Sequence, residues 1–166
     1  MTDPVRIPRD IQDLDMRIAA NGDWFYQGSK ISRPKLVKLF STVLRLEDDG
    51  RYFLQTPVER GEVVVEKTPF IAILMTVEGA GNDSSLTFET NVGDRVTADA
   101  EHPLTFSLEA GSDEPFPVVE VRHGLLARLN RPVFYQLVDL AEEDPDTGEL
   151  VVWSAGTAFS LAGLNP

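Results

Sequence analysis

Short apolar runs separated by turn-forming residues are the feature of this sequence that most limits how it can fold. Residues 63–65 and 70–75 are two such runs, and Gly, Pro, Asn and Asp are frequent between the predicted strands. This spacing is typical of antiparallel hairpins, whereas parallel βαβ units alternate strands with long amphipathic helices. Strands are predicted at residues 24–26, 51–55, 62–67, 70–77, 86–89, 95–98, 104–108, 118–121, 125–128, 150–154 and 157–161.

Two longer stretches are predicted to be helical. The first, residues 31–46, has Ser32 as its candidate N-cap and Pro34 in its first turn. An apolar stripe begins at Leu36 and recurs at the spacing of one helix face. The second, residues 131–142, follows an Asn cap. Together these patterns predict an α+β fold of mostly antiparallel sheets with two helices.

Composition excludes several classes of function. The 166 residues include no cysteine and two histidines, so disulfide scaffolds, thiolate metal sites and multi-histidine metal sites are excluded. A net charge of −12 argues against nucleic acid or an anionic membrane as a partner. The longest apolar run is too short to span a bilayer, and the first residues lack the apolar core of a secretory signal. We therefore expect a cytoplasmic protein.

Charge is distributed unevenly along the chain. Residues 1–83 carry 11 Lys and Arg against 13 Asp and Glu, whereas residues 84–166 carry 4 against 14 and have no lysine. Such asymmetry marks two lobes that attract each other, or a binding face on one lobe; a solvated acidic surface is the alternative.

The chain also shows signs of an internal duplication. At a shift of 98 residues, Arg33-Pro34 falls on Arg131-Pro132, Leu39-Phe40 on Leu137-Val138, and Gly50 on Gly148. Chance similarity between two capped helices is the alternative. If the duplication is real, the two halves pack together, and the cleft between them is the natural place for a ligand.

Three segments are predicted along the chain. Residues 1–22 form an N-terminal arm, in which Ile11, Leu14 and Ile18 recur at the spacing of a short helix. Residues 23–78 form a first lobe, and residues 79–166 form a second lobe that contains helix 131–142.

The start of helix 31–46 is the most informative candidate site. Lys30 and Arg33 lie just before or at this start, and Lys35, Lys38 and Arg45 share one side of the helix. No acid occurs between Trp24 and Leu46. Cations at a helix N-terminus oppose the helix dipole, so a phosphate or carboxylate ligand would offset them. Ion pairs with acids of the second lobe are the alternative.

A second candidate site is the segment Glu66-Lys67-Thr68-Pro69-Phe70, which leaves a Val-rich strand. Its charged residues are placed to line a cleft. The alternative is a surface turn with Phe70 entering the core.

Other motifs carry no chemistry. The Gly79-Ala80-Gly81 segment is predicted to be a hairpin loop, since a phosphate-binding loop needs a following helix. The 144–149 segment resembles only part of a calcium loop and is predicted to be an acidic turn. His102 and His123 are predicted to have structural roles in loops. No catalytic constellation is visible, so we expect no enzymatic activity, no metal and no cofactor.

Several runs resemble the DUF1285 family of uncharacterised bacterial proteins. The specific motifs are DWFYQGSKISRPKLVKLF at 23–40, YFLQTPVE at 52–59, VVVEKTPF at 63–70, RHGLLAR at 122–128 and RPVFYQLV at 131–138. The resemblance covers about residues 20–161. It implies an internally duplicated core, a second lobe similar to a pleckstrin-homology barrel, and a role in signalling. It also implies a site for a nucleotide-like ligand at the lobe interface.

The sequence therefore predicts a cytoplasmic ligand-binding or regulatory module that binds an anionic small molecule between its lobes. Trp24 or Tyr135 would offer a stacking surface. The expected site residues are Trp24, Arg33, Lys35, Glu66, Lys67, Phe70, Arg131 and Tyr135. The alternatives are a protein–protein adaptor that uses the acidic second lobe and, with least support, a hydrolase.

Overall fold

The computed structural model describes residues 11–108 and 115–161 and divides the chain into two compact units, residues 1–69 and 70–166. The sequence predicted a boundary after residue 78. The boundary in the structure comes earlier, because the strand that begins at Phe70 pairs within the second unit. The structure also differs from the predicted N-terminal arm, residues 1–22. Its residues from Ile11 onward belong to a sheet of the first unit, and residues 1–10 lie outside the described part.

The N-terminal unit is a six-stranded sheet with one helix. Its elements are β1 (Ile11–Ile18), β2 (Trp24–Tyr26), β3 (Ser29–Lys30), α1 (Pro34–Thr42), β4 (Leu44–Leu46), β5 (Tyr52–Gln55) and β6 (Arg60–Val65). The strand order is β3-β2-β1-β6-β5-β4, and β1–β6 is the parallel pair in a sheet whose other pairs are antiparallel.

The predicted N-terminal helix is wrong, since this segment is strand β1. Its register against β6 shifts between Asp13 and Met16, and Asp15 takes a left-handed conformation with φ of 47°. A bulge of this kind inserts extra residues into one strand. Residues four apart, such as Leu14 and Ile18, share a face in a regular strand as well as in a helix, so their spacing did not distinguish the two.

The first predicted helix is present but shorter than expected. It begins at Pro34, and Arg33 is the N-cap residue in place of Ser32. Its predicted last turn is instead strand β4, which pairs with β5 through Leu44 and Leu54. Sheet pairing has overridden a helical pattern that continued past the real end of the helix.

The C-terminal unit contains a second six-stranded sheet, a helix and a three-stranded sheet. Its elements are β7 (Phe70–Glu78), a 3₁₀ turn (Gly81–Asp83), β8 (Ser85–Thr90), β9 (Arg95–Thr97), β10 (Leu104–Leu108), β11 (Pro115–Arg122), β12 (Leu125–Leu129), α2 (Arg131–Asp139), β13 (Glu142–Glu143), β14 (Leu150–Ser154) and β15 (Thr157–Ser160). The six-stranded order is β10-β11-β12-β7-β8-β9, with β12–β7 parallel, and the small sheet is β13-β14-β15.

Helix α2 confirms its predicted start. The side chain of Asn130 accepts a hydrogen bond from the backbone N–H of Val133 at 3.0 Å, which caps the first turn. Val133 and Leu137 are buried, and Gln136 donates to the carbonyl of Met75 on β7. The helix is therefore capped at its start and held to β7 by Gln136. It ends at Asp139, three residues before the predicted end.

Both units contain a helix that leads into an antiparallel three-stranded meander. In the N-terminal unit α1 precedes β4, β5 and β6, and in the C-terminal unit α2 precedes β13, β14 and β15. The fold is α+β with mixed sheets, as predicted in outline, and the hairpins expected after β7 are confirmed. Within the described residues, neither helix approaches the length and apolarity needed to cross a membrane.

Candidate ligand cavity of the N-terminal unit

A cavity of about 410 Å³ lies within the N-terminal unit. It is bounded by helix α1, by strands β1, β5 and β6, and by the segment that joins β3 to α1. The lining residues are Leu14, Met16, Tyr26, Ile31, Leu36, Phe40, Val43, Leu54, Thr56, Glu59 and Gly61. Most are apolar, and the volume lies in the range of about 300–1,000 Å³ that small-molecule sites occupy.

The cavity exists because α1 packs loosely on its sheet. Leu36 and Phe40, which face it, are half-buried, Leu39 is 61% exposed, and Ser41 is the buried residue of the helix. Opposite the helix, the side chain of Leu14 lies against the backbone of Gly61. An ideal Cβ at Gly61 would lie 2.1 Å from Leu14 Cδ1, so only glycine permits this approach.

Three polar residues complete the lining. The hydroxyl of Thr56 accepts from the N–H of Glu59 at 3.0 Å and so belongs to a turn. Tyr26 is 44% exposed, and Glu59 is exposed. The phenol of Tyr26 is therefore available as a donor or acceptor at the rim, and the carboxylate of Glu59 is the acid among the lining residues.

The basic start of α1 adjoins this cavity along the chain. Arg33 and Lys35 stand between Ile31 and Leu36, both of which line it. The helix has no side-chain N-cap and no acid in its first turn. Arg33, Lys35 and Lys38 have no ion pair within the described residues. The expected positive charge is thus present and without an acidic partner in the described part of the chain.

Lys30, by contrast, has an ordinary surface partner. Its Nζ lies 3.6 Å from Asp23 Oδ2, and both side chains are well exposed. An exposed pair of this kind contributes little to stability. Asp23 belongs to the first lobe, so this pair is not the pairing with second-lobe acids that was the alternative.

Trp24 does not offer the stacking surface that the sequence suggested. Its side chain is 1% exposed and stacks on Phe40, with ring centroids 6.4 Å apart. It is a core residue, because β2 places it opposite Ile18 on the inner face of the sheet. Its buried Nε1–H has no hydrogen-bond partner within the described residues.

Glu66 is held by its own unit. It accepts a hydrogen bond from the backbone N–H of Ala20 at 2.8 Å and forms an ion pair with Arg17 at 2.5 Å. The hydrogen bond from Ala20 and then that from Arg17 lower the pKa of the Glu66 carboxyl below its ordinary value. Lys67 is half-buried. This turn is therefore structural, as the alternative proposed.

The remaining expected site residues lie in the C-terminal unit. Phe70 is fully buried beneath the guanidinium of Arg122, which lies 5.2 Å from the ring centroid, so it is a core residue and not a ligand contact. Arg131 is the exposed first residue of α2, and Tyr135 follows it one turn later with 57% of its surface exposed. Among the expected site residues, Arg131 and Tyr135 therefore lie one turn apart on the same helix.

The other motifs lie in the loops and turns in which they were predicted. His102 Nδ1 lies 2.9 Å from Asp99 Oδ1, and His123 takes a left-handed conformation in the β11–β12 turn. Desolvation raises the pKa of Asp99, but hydrogen bonds from His102 and then Glu101 outweigh it and lower that pKa. The 144–149 segment is an acidic turn, in which Asp144 accepts from the N–H of Asp146. No three His, Asp or Glu side chains in the described ranges are grouped to hold a metal.

Sequence reasoning missed most of the cavity. The apolar stripe beginning at Leu36 was recognised, but as a packed helix face and not as the wall of an open space. Leu14, Tyr26, Thr56 and Glu59 come from segments far apart in the chain. No local pattern reveals that they meet, because their meeting depends on the parallel pairing of β1 with β6.

The two units correspond to two domains of one family of bacterial proteins. The model of its N-terminal domain, described as a domain of unknown function, matches residues 4–68, and that of its C-terminal domain, described as a protein of unknown function, matches residues 69–161. The division between these matches falls within a residue of the boundary in the structure. The chain belongs to the DUF1285 family, which confirms the resemblance seen in the sequence.

Solved structures of relatives agree. A DUF1285 family protein from Silicibacter pomeroyi is 44% identical, with a TM-score of 0.83 over 90% of this chain and 80% of that one. Another, from Shewanella baltica, is 31% identical, with a TM-score of 0.56 over 75% of this chain and 90% of that one. No curated protein matches the chain.

Proposed function

We propose that the chain is a non-enzymatic, cytoplasmic ligand-binding or regulatory module whose N-terminal unit binds an anionic small molecule with an apolar body. The observation that carries the proposal is the apolar cavity of about 410 Å³ beneath α1. Protein interiors are ordinarily close-packed, and a hollow of this size under a helix leaves apolar side chains without partners. A ligand body that fills the space would supply those contacts.

The anionic group is proposed from the charges beside the cavity. Arg33 and Lys35 have no ion pair within the described residues, and the dipole of α1 adds positive potential at the same end. Tyr26 supplies a hydroxyl at the rim. Glu59 is the opposing charge, but it is one carboxylate against two cations and a helix terminus.

Thermal denaturation with matched probes tests this function. Decanoate has an apolar chain and an anionic head, decanol has the same chain without the charge, and adenosine monophosphate represents the nucleotide-like ligand expected from the sequence. We expect decanoate or the nucleotide to raise the melting temperature in a concentration-dependent way. Decanol should raise it less. No shift with any probe would contradict the proposal.

Variants then locate the binding. Arg33→Gln combined with Lys35→Gln should weaken decanoate binding about threefold to tenfold and leave decanol unchanged, because only the charged head is affected. Lys38→Gln, one turn further along α1, is the matched control and should bind as the unaltered chain does. If Lys38→Gln weakens decanoate binding as much as the double change does, Arg33 and Lys35 are not the residues that bind the anionic head group.

A protein–protein adaptor is the second candidate function. The observation that favours it is charge: residues 70–166 contain 4 Lys and Arg against 16 Asp and Glu, a net of −12. A surface of this charge would attract a basic partner in a salt-dependent way. A pull-down repeated between about 50 mM and about 500 mM salt, with any captured protein then purified and titrated, would test it. Salt-independent capture would count against an acidic docking face.

We also propose that the two units contain a duplicated segment. The registers of β5 with β6 and of β14 with β15 support it, since Phe53 pairs with Glu62 and, 98 residues later, Val151 pairs with Ser160. The turns that precede the two helices both have positive φ at two successive residues, 27–28 and 123–124. Similarity to a pleckstrin-homology barrel is proposed for the C-terminal unit, where six strands precede one helix.

A further inference from the structure

A second cavity, of about 380 Å³, lies wholly within the C-terminal unit at the carboxyl end of α2. Its walls come from the end of β7, the 78–84 loop, the helix end and strand β14. The lining residues are Val77, Gly79, Ala80, Gly81, Ser84, Asp139, Leu140, Ala141, Glu142 and Trp153. The first cavity is lined mostly by apolar groups, whereas polar and apolar groups line this one about equally.

The charges that line this cavity are all negative. Asp139 and Glu142 are exposed acids, and no lysine or arginine is among the lining residues. Neither acid has an ion pair within the described residues. The cavity therefore has a local negative potential that its own side chains do not neutralise.

The helix terminus strengthens that potential. The last turn of α2 contains no basic residue, and Asp139 is its final residue. The carboxyl end of a helix carries a partial negative charge, so an aspartate there is unfavourable unless a cation is near. Stability alone would favour lysine or arginine at this position.

An aromatic wall completes the site. Trp153 on β14 is half-buried and lines the cavity, so part of its indole surface remains open to a bound group. Indole rings attract cations through their electron-rich faces. On another side the wall is backbone, since an ideal Cβ at Gly79 would lie 2.4 Å from the carbonyl oxygen of Asp83.

We propose that this cavity binds an organic ammonium ion, with the carboxylates of Asp139 and Glu142 neutralising its charge and Trp153 contacting its alkyl groups. The proposal rests on the C-terminal unit alone and is independent of the ligand assigned to the N-terminal unit. The ammonium group belongs either to a free small molecule or to a lysine side chain. The two sources share the recognition chemistry, and two probes separate them.

The test follows the indole N–H signal of Trp153 by ¹H–¹⁵N NMR in the full chain, with Trp153→Phe used to assign it. Choline is the quaternary probe, N-acetyl-lysine methylamide the primary one, and 3,3-dimethylbutan-1-ol the uncharged isostere of choline. We expect at least one ammonium probe to shift this signal, and the isostere to leave it in place. Tighter binding of choline would indicate a free small molecule as the ligand, and tighter binding of the lysine derivative would indicate a lysine side chain.

Charge variants complete the test. Asp139→Asn combined with Glu142→Gln should weaken ammonium binding about threefold to tenfold, while Glu143→Gln, an adjacent acid outside the lining, should not change it. The signal dispersion of each variant shows that it is folded. No shift with either ammonium probe at up to about 50 mM would overturn the proposal, because that corresponds to negligible affinity. Equal shifts with the isostere, or equal affinity in the double variant, would overturn it as well.

Discussion

The two helices of the molecule resemble each other in sequence and differ in how they pack. Helix α2 is capped by Asn130 and buries Val133 and Leu137. Helix α1 has no side-chain cap, exposes Leu39 and lies over a cavity. Leu39 and Leu137 are related by the 98-residue shift, so the same residue type serves as surface in one unit and as core in the other. The difference indicates that α2 is packed against its unit more closely than α1 is.

Charge separates the two units as well. Residues 1–69 contain 11 Lys and Arg and 11 Asp and Glu, so the whole net charge of −12 belongs to residues 70–166. A neutral unit with a basic helix start suits an anionic ligand, and an acidic unit suits a cationic one. The two candidate sites follow this division.

The largest expected effect comes from the matched leucines. Leu137→Ala should lower the free energy of unfolding by about 2–5 kcal/mol, because it leaves a cavity in a packed region. Leu39→Ala, 98 residues earlier, should change it by less than about 0.5 kcal/mol, since that side chain is exposed. Urea denaturation of both variants measures these two changes in the free energy of unfolding. Similar losses in the two would show that α1 packs as α2 does.

The helix caps give the next largest difference. Asn130→Ala should cost about 1 kcal/mol, because the N–H of Val133 loses its acceptor. Ser32→Ala should cost almost nothing, since Arg33 occupies the cap position of α1 and Ser32 is outside the helix. The same denaturation measurement applies. A comparable loss for Ser32→Ala would mean that this serine does cap the helix.

Filling part of the cavity should stabilise the N-terminal unit and weaken its binding. Val43→Leu adds a methylene to a half-buried lining residue, and we expect a gain of about 0.5–1 kcal/mol together with weaker decanoate binding. Val138→Leu, on the exposed surface of α2, is the control and should change neither the stability nor decanoate binding. A loss of stability in Val43→Leu would indicate that the space is smaller than the structure shows.

The smallest expected effect depends on pH. The folded-state pKa of Glu66 is below its ordinary value of 4.5, so its contribution is present above that value and is lost as the pH falls through the lower folded-state pKa. Glu66→Gln should therefore be less stable than the unaltered chain at neutral pH, and the difference should vanish in acid. Glu143→Gln, in the acidic unit, should be neutral or slightly stabilising. Denaturation across a pH series compares them.

Local signals predicted some elements of this fold and not others. The Asn130 cap followed by Arg131-Pro132 correctly marked the start of α2, and the glycine turns marked the hairpins. Strands β1 and β4 were predicted as helix, because their apolar residues lie four positions apart or directly continue the stripe of α1, and such spacings fit a helix and a strand alike. The partner strands β6 and β5 decide their conformation, and β6 is distant from β1 along the chain.

The candidate site was predictable only in part. The basic residues Arg33 and Lys35 were identified from the sequence, and their lack of acidic partners is a property of the three-dimensional structure. Trp24 and Phe70 were expected to contact a ligand, yet both are buried, since large aromatic side chains are equally typical of cores and of binding sites. The sequence shows which residues are apolar and does not show how much space is left between them.

A crystal structure of the chain grown with decanoate would show whether the cavity beneath α1 is a ligand site. We expect electron density for the alkyl chain among Phe40, Val43 and Leu54, with the carboxylate directed toward Arg33 and Lys35. An unoccupied cavity at saturating decanoate, or one closed by α1 seated directly on β5 and β6, would contradict it.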